Sequence, residues 1–388
     1  MSTVPAPTRD HRESHARIFA RFLRFGSLAW GGPVAQIAMI RQELVDEEQW
    51  ITSAHFNRVL AVYQVLPGPE AHEMCVYFGM RAGGRWGGFL AGLGFMLPGF
   101  VLMFALSWAY VTFGANAPWL VIAFYGCKPA VLALIVRAIH RIGSHALTDR
   151  WLLLIAIGTA IGNLLGVGFL VLLPLAGLAY AVLKRRPTSG HAGLAFLPLS
   201  LMAQPVAIDA SPTLLAMLGY GLRGGLLTFG GAYTAIPFLQ HDAVVRGGWM
   251  TNAQFLDGLA LGGVLPAPLI IFSTFVGYLG AGPLGALAMT VGIFLPAFAF
   301  TLVAHDQVER LIANTAAHAF LDGVTAGVVG LIVVTAIGIW RDAIVDVPTA
   351  VIFVGALVLA WRWKARAAVV GIVAAAGVVG WLVTLVSS

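Results

Sequence analysis

Four long stretches of this chain contain no charged residue: 86–127, 151–183, 258–305 and 367–388. Each can hold one or two helices of about 20 residues, the length that crosses the hydrocarbon core of a bilayer. Only 10% of the residues are charged and 59% are hydrophobic, whereas soluble domains average about 25% charged residues. We therefore predict an all-α polytopic membrane protein.

The sequence also contains an internal repeat. When the sequence is shifted by 199 positions, 24–69 lies over 223–268 without a gap, and 17 of the 46 positions are identical. After one deleted residue, the match continues at a shift of 198. Chance similarity between apolar segments would match Leu, Ala and Val, but many matches here are Gly, Pro and Trp. The shared residues include Gly31/Gly230, Gly32/Gly231, Trp50/Trp249, Pro67/Pro266, Pro69/Pro268 and Pro98/Pro296.

The basic residues fall in different loops of the two repeats. Arg81 and Arg85 lie over Leu279 and Pro283, whereas Arg362, Lys364 and Arg366 lie over Leu164, Gly166 and Gly168. Basic loops mark the cytoplasmic side of a membrane protein, so this exchange predicts two repeats of inverted topology. The formal charge of +6 is accounted for by these loops, and we expect no nucleic-acid partner.

We predict four parts: a cytoplasmic N-terminal arm (1–17), a first repeat (18–186), a linker (187–211) and a second repeat (212–388). The linker must cross the membrane once if the second repeat is inverted, although it contains Pro198 and Pro205. The C-terminus is then periplasmic. We count about 9 crossings if the broken segments re-enter, and about 13 if they span. No cleaved signal peptide is expected, because no small-residue cleavage pattern follows the first apolar run.

Each repeat contains two backbone breaks, WGGP and LPGP in the first and FGGA and LPAP in the second. In lipid, an opened backbone is tolerated only where it is buried in protein or faces water. Proline suits the first position of a helix, so Pro33, Pro69 and Pro268 can each start a half-helix. The free N–H groups and positive dipole end of such a half-helix favour an anion. One break alone could be a packing kink, but matched breaks in inverted repeats indicate a transport site. We predict that this site contains Gly31, Gly32, Pro33, Pro67, Gly68, Pro69, Gly230, Gly231, Pro266, Ala267 and Pro268.

Three cations are candidates to assist in binding. Arg24 and Arg223 are repeat equivalents that precede the glycine pairs by two helical turns. Lys128 lies near the centre of a predicted span, where a charge is costly and is by default functional. It could attract an oxyanion or neutralise Asp322, which we expect at a similar depth in the second repeat. The alternatives are a cation that reaches the membrane interface for Arg24 and a structural ion pair for Lys128.

Glu70, His72 and Glu73 follow the first LPGP break and have no acidic counterparts in the second repeat. A buried carboxylate beside an anion site tends to be protonated, which suits proton coupling. Glu70 could equally cap a helix N-terminus. We expect His72 and Glu73 to line a water-filled path. With Asp322, these three residues are the candidates for coupling or gating.

The sequence contains no assembled catalytic or metal-binding motif. His72, Glu73 and Met74 lack the second histidine of a zinc-binding HExxH motif, and no GxSxG or phosphate-binding GKS/GKT motif is present. Cys75 and Cys127 have no metal-site spacing. We therefore predict a protein that is not an enzyme and has neither a cofactor nor a metal.

The motifs resemble those of the chromate ion transporter (CHR) family in its long, two-domain form. The resemblance covers about 22–340 and rests on FLRFGSLAWGGPVAQIAMIRQELV, VLPGPEAHEMCVYFGMRAGGRWGGFLAG, GCKPAVLAL, GGLLTFGGAYTAIPF, FLDGLALGGVLPAP and FLPAFAF. It implies a bacterial inner-membrane protein that exports chromate, with sulfate as the structurally similar anion. A homodimer is a reasonable default for such a fold.

Three residues depart from the pattern of that family. Ala267 replaces the glycine of the second PGP, His72 and Glu73 stand where glutamine is frequent, and Trp30 replaces a phenylalanine. Alanine disfavours a left-handed backbone, so we expect an altered second break. Sulfate or other anion uptake or exchange, and a membrane-embedded enzyme or scaffold, are the alternative functions.

Overall fold

The computed structural model describes residues 12–114, 118–184, 212–303, 315–363, 365 and 367–387. Within these ranges it contains fourteen α-helices and no β-strand. The predicted linker 187–211, including its membrane crossing, lies outside the described residues, as does most of the N-terminal arm. The all-α polytopic architecture predicted from the sequence is confirmed.

The described residues of each repeat form seven α-helices. Those of the first are α1 His15–Ser27, α2 Pro33–Arg41, α3 Ser53–Val65, α4 Glu70–Ala109, α5 Pro118–Ala146, α6 Arg150–Leu164 and α7 Phe169–Lys184. Those of the second are α8 Leu214–Leu226, α9 Ile236–Gln240, α10 Asn252–Gly263, α11 Ser273–Leu302, α12 Thr315–Ala343, α13 Val347–Arg362 and α14 Ala368–Ser387. The π-helical turns Gln42–Glu47, Tyr110–Gly114 and His241–Arg246 extend α2, α4 and α9. The 3₁₀ turns Ala232–Ala235 and Leu269–Phe272 precede α9 and α11.

Equivalent helices begin with equivalent caps. A side-chain oxygen at the N-cap accepts a hydrogen bond from a first-turn backbone N–H and satisfies a donor that has no helical partner. The capping residues are Ser14 and Thr213 for α1 and α8, Thr52 and Thr251 for α3 and α10, and Asp149 and Asp346 for α6 and α13. The duplication therefore extends to the local signals that start the helices.

Helices α4 and α11 are each folded back on themselves at a glycine. Gly84 has a φ of 65°, and its equivalent Gly282 has a φ of 64°. The backbones of Gly79 and Gly87 consequently touch, although eight residues of straight helix would separate them by about 12 Å. Each helix is thus a hairpin with a short arm (70–82 or 273–280) and a long arm (85–109 or 283–302).

The two repeats run in opposite directions. The long arms of α4 and α11 pack antiparallel, and so do their neighbours α5 and α12. For the long arms, the contacts that establish this are Gly88 with Leu302 and Gly92 with Phe298. For α5 and α12, Ile142 and Thr325 both lie against Gly230, whereas residues 132–139 and 333–341 line one groove. Equivalent helices that pack antiparallel are related by an axis in the plane of the membrane. The inversion predicted from the loop charges is confirmed.

The broken segments fold back as hairpins: α1 and α2 form the first hairpin of the first repeat, and α3 and the short arm of α4 form the second. Helix α2 runs back along α1, because Glu43 in its π-helical extension contacts both Arg21 and Arg24 of α1. Helix α3 likewise runs antiparallel to the short arm of α4, with His55 Nε2 2.7 Å from Tyr77 Oη. This geometry corresponds to the lower of the two predicted numbers of crossings.

Several segments are long and apolar enough to cross a membrane. They are Glu70–Gly114, Leu269–Leu302, Ala317–Ala343 and Ala368–Leu385. The shorter apolar helices α6, α7 and α13 accompany them. Residues of these helices that point away from the core are large and apolar, as expected where the neighbour is lipid rather than water.

Candidate functional site

Each hairpin turns at one of the four breaks, WGGP, LPGP, FGGA or LPAP, and these turns are here called tips. The tips meet at the centre of the molecule. The first LPGP tip pairs with the glycine break of the second repeat: Gly68 N donates to the Thr228 carbonyl (2.8 Å), and Pro67 forms an antiparallel bridge with Phe229. Gly68 lies against Ala297, and Ala267 lies against Gly99. Each tip therefore rests on the middle of the long arm of the opposite repeat.

The first glycine break leaves a helix N-terminus open. Gly31 and Gly32 have φ values of 90° and 80°, a region that side chains other than glycine rarely adopt. Pro33 then occupies the first position of α2, as predicted, and no side chain caps this end of the helix. The first turn of α2 therefore presents backbone N–H groups that have no helical partner.

A cavity of about 420 Å³ opens at this break. The residues that line it come from the break and α2, from α5, from the turn before α9, and from the α13–α14 connection. The ones that matter here are Gly31, Gly32, Pro33, Arg137, Arg141, Tyr233 and Trp363. The volume falls within the usual range of roughly 300–1,000 Å³ for small-molecule sites.

Arg137 and Arg141 form the polar wall of this cavity. They lie one turn apart on the same face of α5, and both are half-buried. Among the described residues, no carboxylate lies within the 4.0 Å ion-pair distance of either guanidinium. Arg141 interacts electrostatically with Glu70.

Neither arginine is among the site residues predicted from the sequence. Both lie within α5, which continues to Ala146. Their spacing of four residues on an otherwise apolar helix was the signal that could have found them.

The predicted cations Arg24 and Arg223 do not line the cavity. Each forms an ion pair with the carboxylate of its own hairpin, Arg24 with Glu43 and Arg223 with Asp242. Arg223 also lies over the rings of Phe169 and Tyr220. The repeated arginine therefore joins the two helices of a hairpin.

Lys128 is paired with a residue of the second repeat. Its Nζ lies 3.4 Å from Asp257 Oδ1, and the Tyr110 hydroxyl donates to Asp257 Oδ2 (2.9 Å). The suggested neutralisation of Asp322 is wrong, because Asp322 instead contacts His318 (3.2 Å). The inversion explains the error: similar positions along α5 and α12 lie in opposite halves of the membrane.

His72 and Glu73 are fully buried and do not line the cavity, so the expectation of a water-filled path beside them is wrong. The His72 ring lies between those of Phe294 and Phe298, at centroid distances of 5.0 and 4.7 Å. Neither Glu73 oxygen has a hydrogen-bond partner among the described residues, and the side chain lies against Gly68. Glu70 is the first residue of α4, at the helix N-terminus predicted for it.

The second tip has a different backbone from the first. Gly68 has a φ of 154°, but Ala267 is not among the described residues with positive φ. Pro69 and Pro268 occupy N-cap positions, so their helices begin one residue later than predicted. After Pro268 the chain makes a 3₁₀ turn, whereas an α-helix begins directly after Pro69. An altered second break is what the alanine at 267 predicted.

Comparison with known proteins adds to this geometry. The family model described as "Chromate transporter" matches residues 16–182 and again 215–381, one match for each repeat. The chain belongs to the chromate transporter family. It is similar to the "Chromate transport protein" of Pseudomonas aeruginosa, with 56% identity over 98% of this chain and 94% of that protein. The resemblance drawn from the glycine and proline motifs is thereby confirmed.

More distant members cover nearly the same length. The "Probable chromate transport protein" of Synechococcus elongatus is 31% identical over 93% of this chain and 94% of its own. The "Chromate transport protein" of Cupriavidus metallidurans is 31% identical over 96% of this chain and 95% of its own. No solved structure matches the chain. Membership of this family indicates a multi-pass membrane protein that performs transport rather than catalysis.

Proposed function

We propose that this protein is a secondary transporter that exports chromate, a divalent tetrahedral oxyanion, across the bacterial inner membrane. The observation that carries the proposal is the cavity at the first break, which joins an uncapped helix N-terminus to two arginines. Helix N-termini bind oxyanions through their N–H groups and dipole. Discontinuous helices at the centre of inverted repeats are where transporters hold their substrates. The names of the relatives support chromate as the anion.

Within the predicted set, we assign the contact with the anion to Gly31, Gly32 and Pro33. The residues of the other breaks hold the tips together. Those residues are Pro67, Gly68, Pro69, Gly230, Gly231, Pro266, Ala267 and Pro268. Arg24, Arg223 and Lys128 keep the hairpins and α10 in place through their carboxylate partners. Glu70, His72, Glu73 and Asp322 remain candidates for coupling or gating.

The direction of transport follows from charge. The basic connection between α13 and α14 contributes Trp363 to the cavity, so we place the cavity on the cytoplasmic side. The N-terminus is then cytoplasmic and the C-terminus periplasmic. A membrane potential that is negative inside drives a dianion outward by ~2.3 kcal/mol per charge per 100 mV. Export therefore needs no coupled proton.

Sulfate uptake or exchange is the second candidate function. It is favoured by the form of the site, in which N–H groups and guanidiniums recognise the charge and tetrahedral shape that sulfate shares with chromate. Competition between the two anions separates these functions.

The test is chromate flux in proteoliposomes with an imposed potential, measured spectroscopically with and without sulfate. We expect flux above that of protein-free liposomes, faster when the chromate-loaded compartment is negative. Absence of such flux contradicts the proposal, and sulfate flux without chromate flux favours the second candidate.

A matched pair of variants localises the site. Gly32 and Gly166 both have left-handed backbones, with φ values of 80° and 86°, and a Cβ at either position meets no atom within 4 Å. Alanine is strained at both positions, by roughly 1–3 kcal/mol, and more so at Gly32, whose ψ of −175° belongs to a region essentially limited to glycine. We expect only Gly32→Ala to lose flux, since Gly166 lies in the connection between α6 and α7. Equal losses contradict a site at the first break.

A further inference from the structure

We infer that Arg137 and Arg141 are the cationic ligands of the transported anion, an inference that rests on the proposed function. Successive turns of a helix place residues i and i+4 on one face. The guanidiniums therefore line the same cavity as the N-terminus of α2. The two groups of donors approach the cavity from different helices.

The charges of this pair call for a counter-ion. Like charges at i and i+4 repel each other, and cations within a membrane protein are costly without a partner. Lys128, Arg24 and Arg223 all have a carboxylate within ion-pair distance, but Arg137 and Arg141 have none among the described residues. A single dianion with four acceptor oxygens can satisfy both guanidiniums.

The groups that face the pair favour this occupant. Glu70 approaches Arg141 from α4, but it belongs to a different tip and does not line the cavity. Tyr233, from the turn before α9, supplies a hydroxyl to the cavity wall. When the negative charge of Glu70 is set against the two arginines, one net positive charge remains on the cavity wall, so an anion remains the favoured occupant.

The pair is not required by the fold. Helices α5 and α12 correspond at a shift of 197, which places Val334 and Gly338 at the equivalent positions. The same helix thus forms in the second repeat without either arginine. Since the fold does not need these charges, we assign them to the substrate.

The test is equilibrium binding of chromate and of sulfate to the purified protein. A hydrogen bond to a charged group contributes enough that Arg137→Gln or Arg141→Gln should weaken binding roughly tenfold to a hundredfold. The double variant Arg137→Lys/Arg141→Lys keeps the charge but loses the planar fork, so its affinity should fall less. The control is Arg341→Gln on α12, which lines a separate apolar groove and should bind as the unaltered protein does.

The outcomes separate this inference from the proposed function. Unchanged affinity in the folded Arg137→Gln and Arg141→Gln variants, together with chromate flux in the unaltered protein, overturns the arginine assignment alone. Absence of both binding and flux in the unaltered protein overturns the proposed function and, with it, the inference. Thermal unfolding without ligand establishes that each variant is folded.

A different observation concerns the pairing of the tips. Pro67 is bridged to Phe229, and the repeat equivalents of these residues are Pro266 and Trp30. The described residues contain no bridge between Trp30 and Pro266. Trp30 is 37% exposed, whereas Phe229 is 8% exposed. The pairing of Pro67 with Phe229 is therefore formed (closed), whereas the equivalent pairing of Pro266 with Trp30 is not formed (open).

A second contact shows the same asymmetry. The ion pair between Lys128 and Asp257 joins α5 to α10 on the closed side, which is the side where Pro67 and Phe229 are paired. The equivalent positions are Thr325 and Arg58, which cannot form an ion pair with each other. Helix α3, the equivalent of α10, accordingly packs mainly on its own repeat rather than on α12.

We propose that transport exchanges the two pairings. In the opposite-facing state, Trp30 pairs with Pro266, and the bridge between Pro67 and Phe229 opens. Because the repeats share one fold, each can adopt the position that the other holds in this structure. The exchange closes the cavity on its present side and opens a path on the other.

Cysteine pairs test this exchange after Cys75 and Cys127 are replaced by alanine. Bridged residues lie close enough for a disulfide. During turnover, both Pro67→Cys/Phe229→Cys and Trp30→Cys/Pro266→Cys should cross-link, each should abolish flux, and reduction should restore it. The single-cysteine variants are the controls. Cross-linking of the first pair but never of the second, or full flux through a cross-linked second pair, overturns the proposal.

Discussion

The first hairpin of each repeat has the same helices, but the two hairpins are packed differently. Leu28, after α1, is 54% exposed, whereas its equivalent Leu227, after α8, is 5% exposed. Both hairpins have a capped first helix, a left-handed glycine pair and an arginine–carboxylate ion pair. The difference teaches that the local sequence pattern sets the hairpin itself, whereas its burial against the rest of the molecule is set by tertiary contacts that differ between the repeats.

The largest difference between the repeats is expected at the shared ion pair. Arg223→Ala leaves the buried Asp242 without its partner, which costs about 3–5 kcal/mol of unfolding free energy. Arg24→Ala removes a half-exposed partner of Glu43 and should cost about 0–1 kcal/mol. Thermal unfolding of the purified proteins measures both.

The double variant Arg223→Ala/Asp242→Ala is the control for this pair. It should recover part of the lost stability, because no buried charge is left alone. Similar melting temperatures for the Arg24 and Arg223 variants would refute the view that only the first hairpin of the second repeat is buried against the rest of the molecule.

The next effect concerns the ion pair between α5 and α10. Asp257→Ala leaves Lys128 and the Tyr110 hydroxyl without their acceptor and should cost roughly 1–3 kcal/mol. Thr325→Ala, at the position equivalent to Lys128, should stay within about 0.5 kcal/mol. Lys128→Ala should slow flux more than it lowers affinity, since its partner is Asp257. A selective loss of chromate affinity would instead identify Lys128 as a ligand of the anion.

The two LPxP tips give a smaller difference. Gly68→Ala forces alanine into a strained backbone against Glu73 and should cost about 1–3 kcal/mol. Ala267→Gly adds freedom to the unfolded chain and should cost about 0.4–1 kcal/mol. Unfolding free energies in mild detergent check this ordering, which reverses if the second tip is the strained one.

The smallest effect tests a feature in which the repeats agree. Asp149 and Asp346 cap equivalent helices, so Asp149→Ala and Asp346→Ala should each cost about 1 kcal/mol. The hydrogen bond from Tyr180 lowers the pKa of Asp149, so its contribution is present at neutral pH and is lost as the pH falls through that lowered pKa. Unequal losses would show that the caps are less alike than their sequences.

Much of the fold could be predicted from the sequence because local patterns specify it. Gly and Pro placed the breaks within a residue of where the helices start, and the exchange of basic loops gave the inversion. Re-entry could not be predicted, because a 13-residue half-helix followed by a break is compatible with crossing or returning. The contacts of Glu43 with α1 and of His55 with the short arm of α4 decide that question.

The candidate site was predictable in its backbone but not in its side chains. Gly31, Gly32 and Pro33 line the cavity, whereas Arg24 and Lys128 are paired elsewhere. Arg137 and Arg141 were not predicted, because the sequence alone does not show that α5 continues past them and places them at the cavity.

The sequence by itself determined a membrane protein of two inverted repeats with breaks at matching places. Hydrophobicity, helix propensity and the side preference of basic residues act locally or over one span, so one chain is enough to reveal them. The tertiary structure alone decided which break faces the cavity and which carboxylate meets each cation. It brings together residues as far apart in the chain as Gly31 and Trp363, and inversion sends equivalent residues to opposite sides of the membrane.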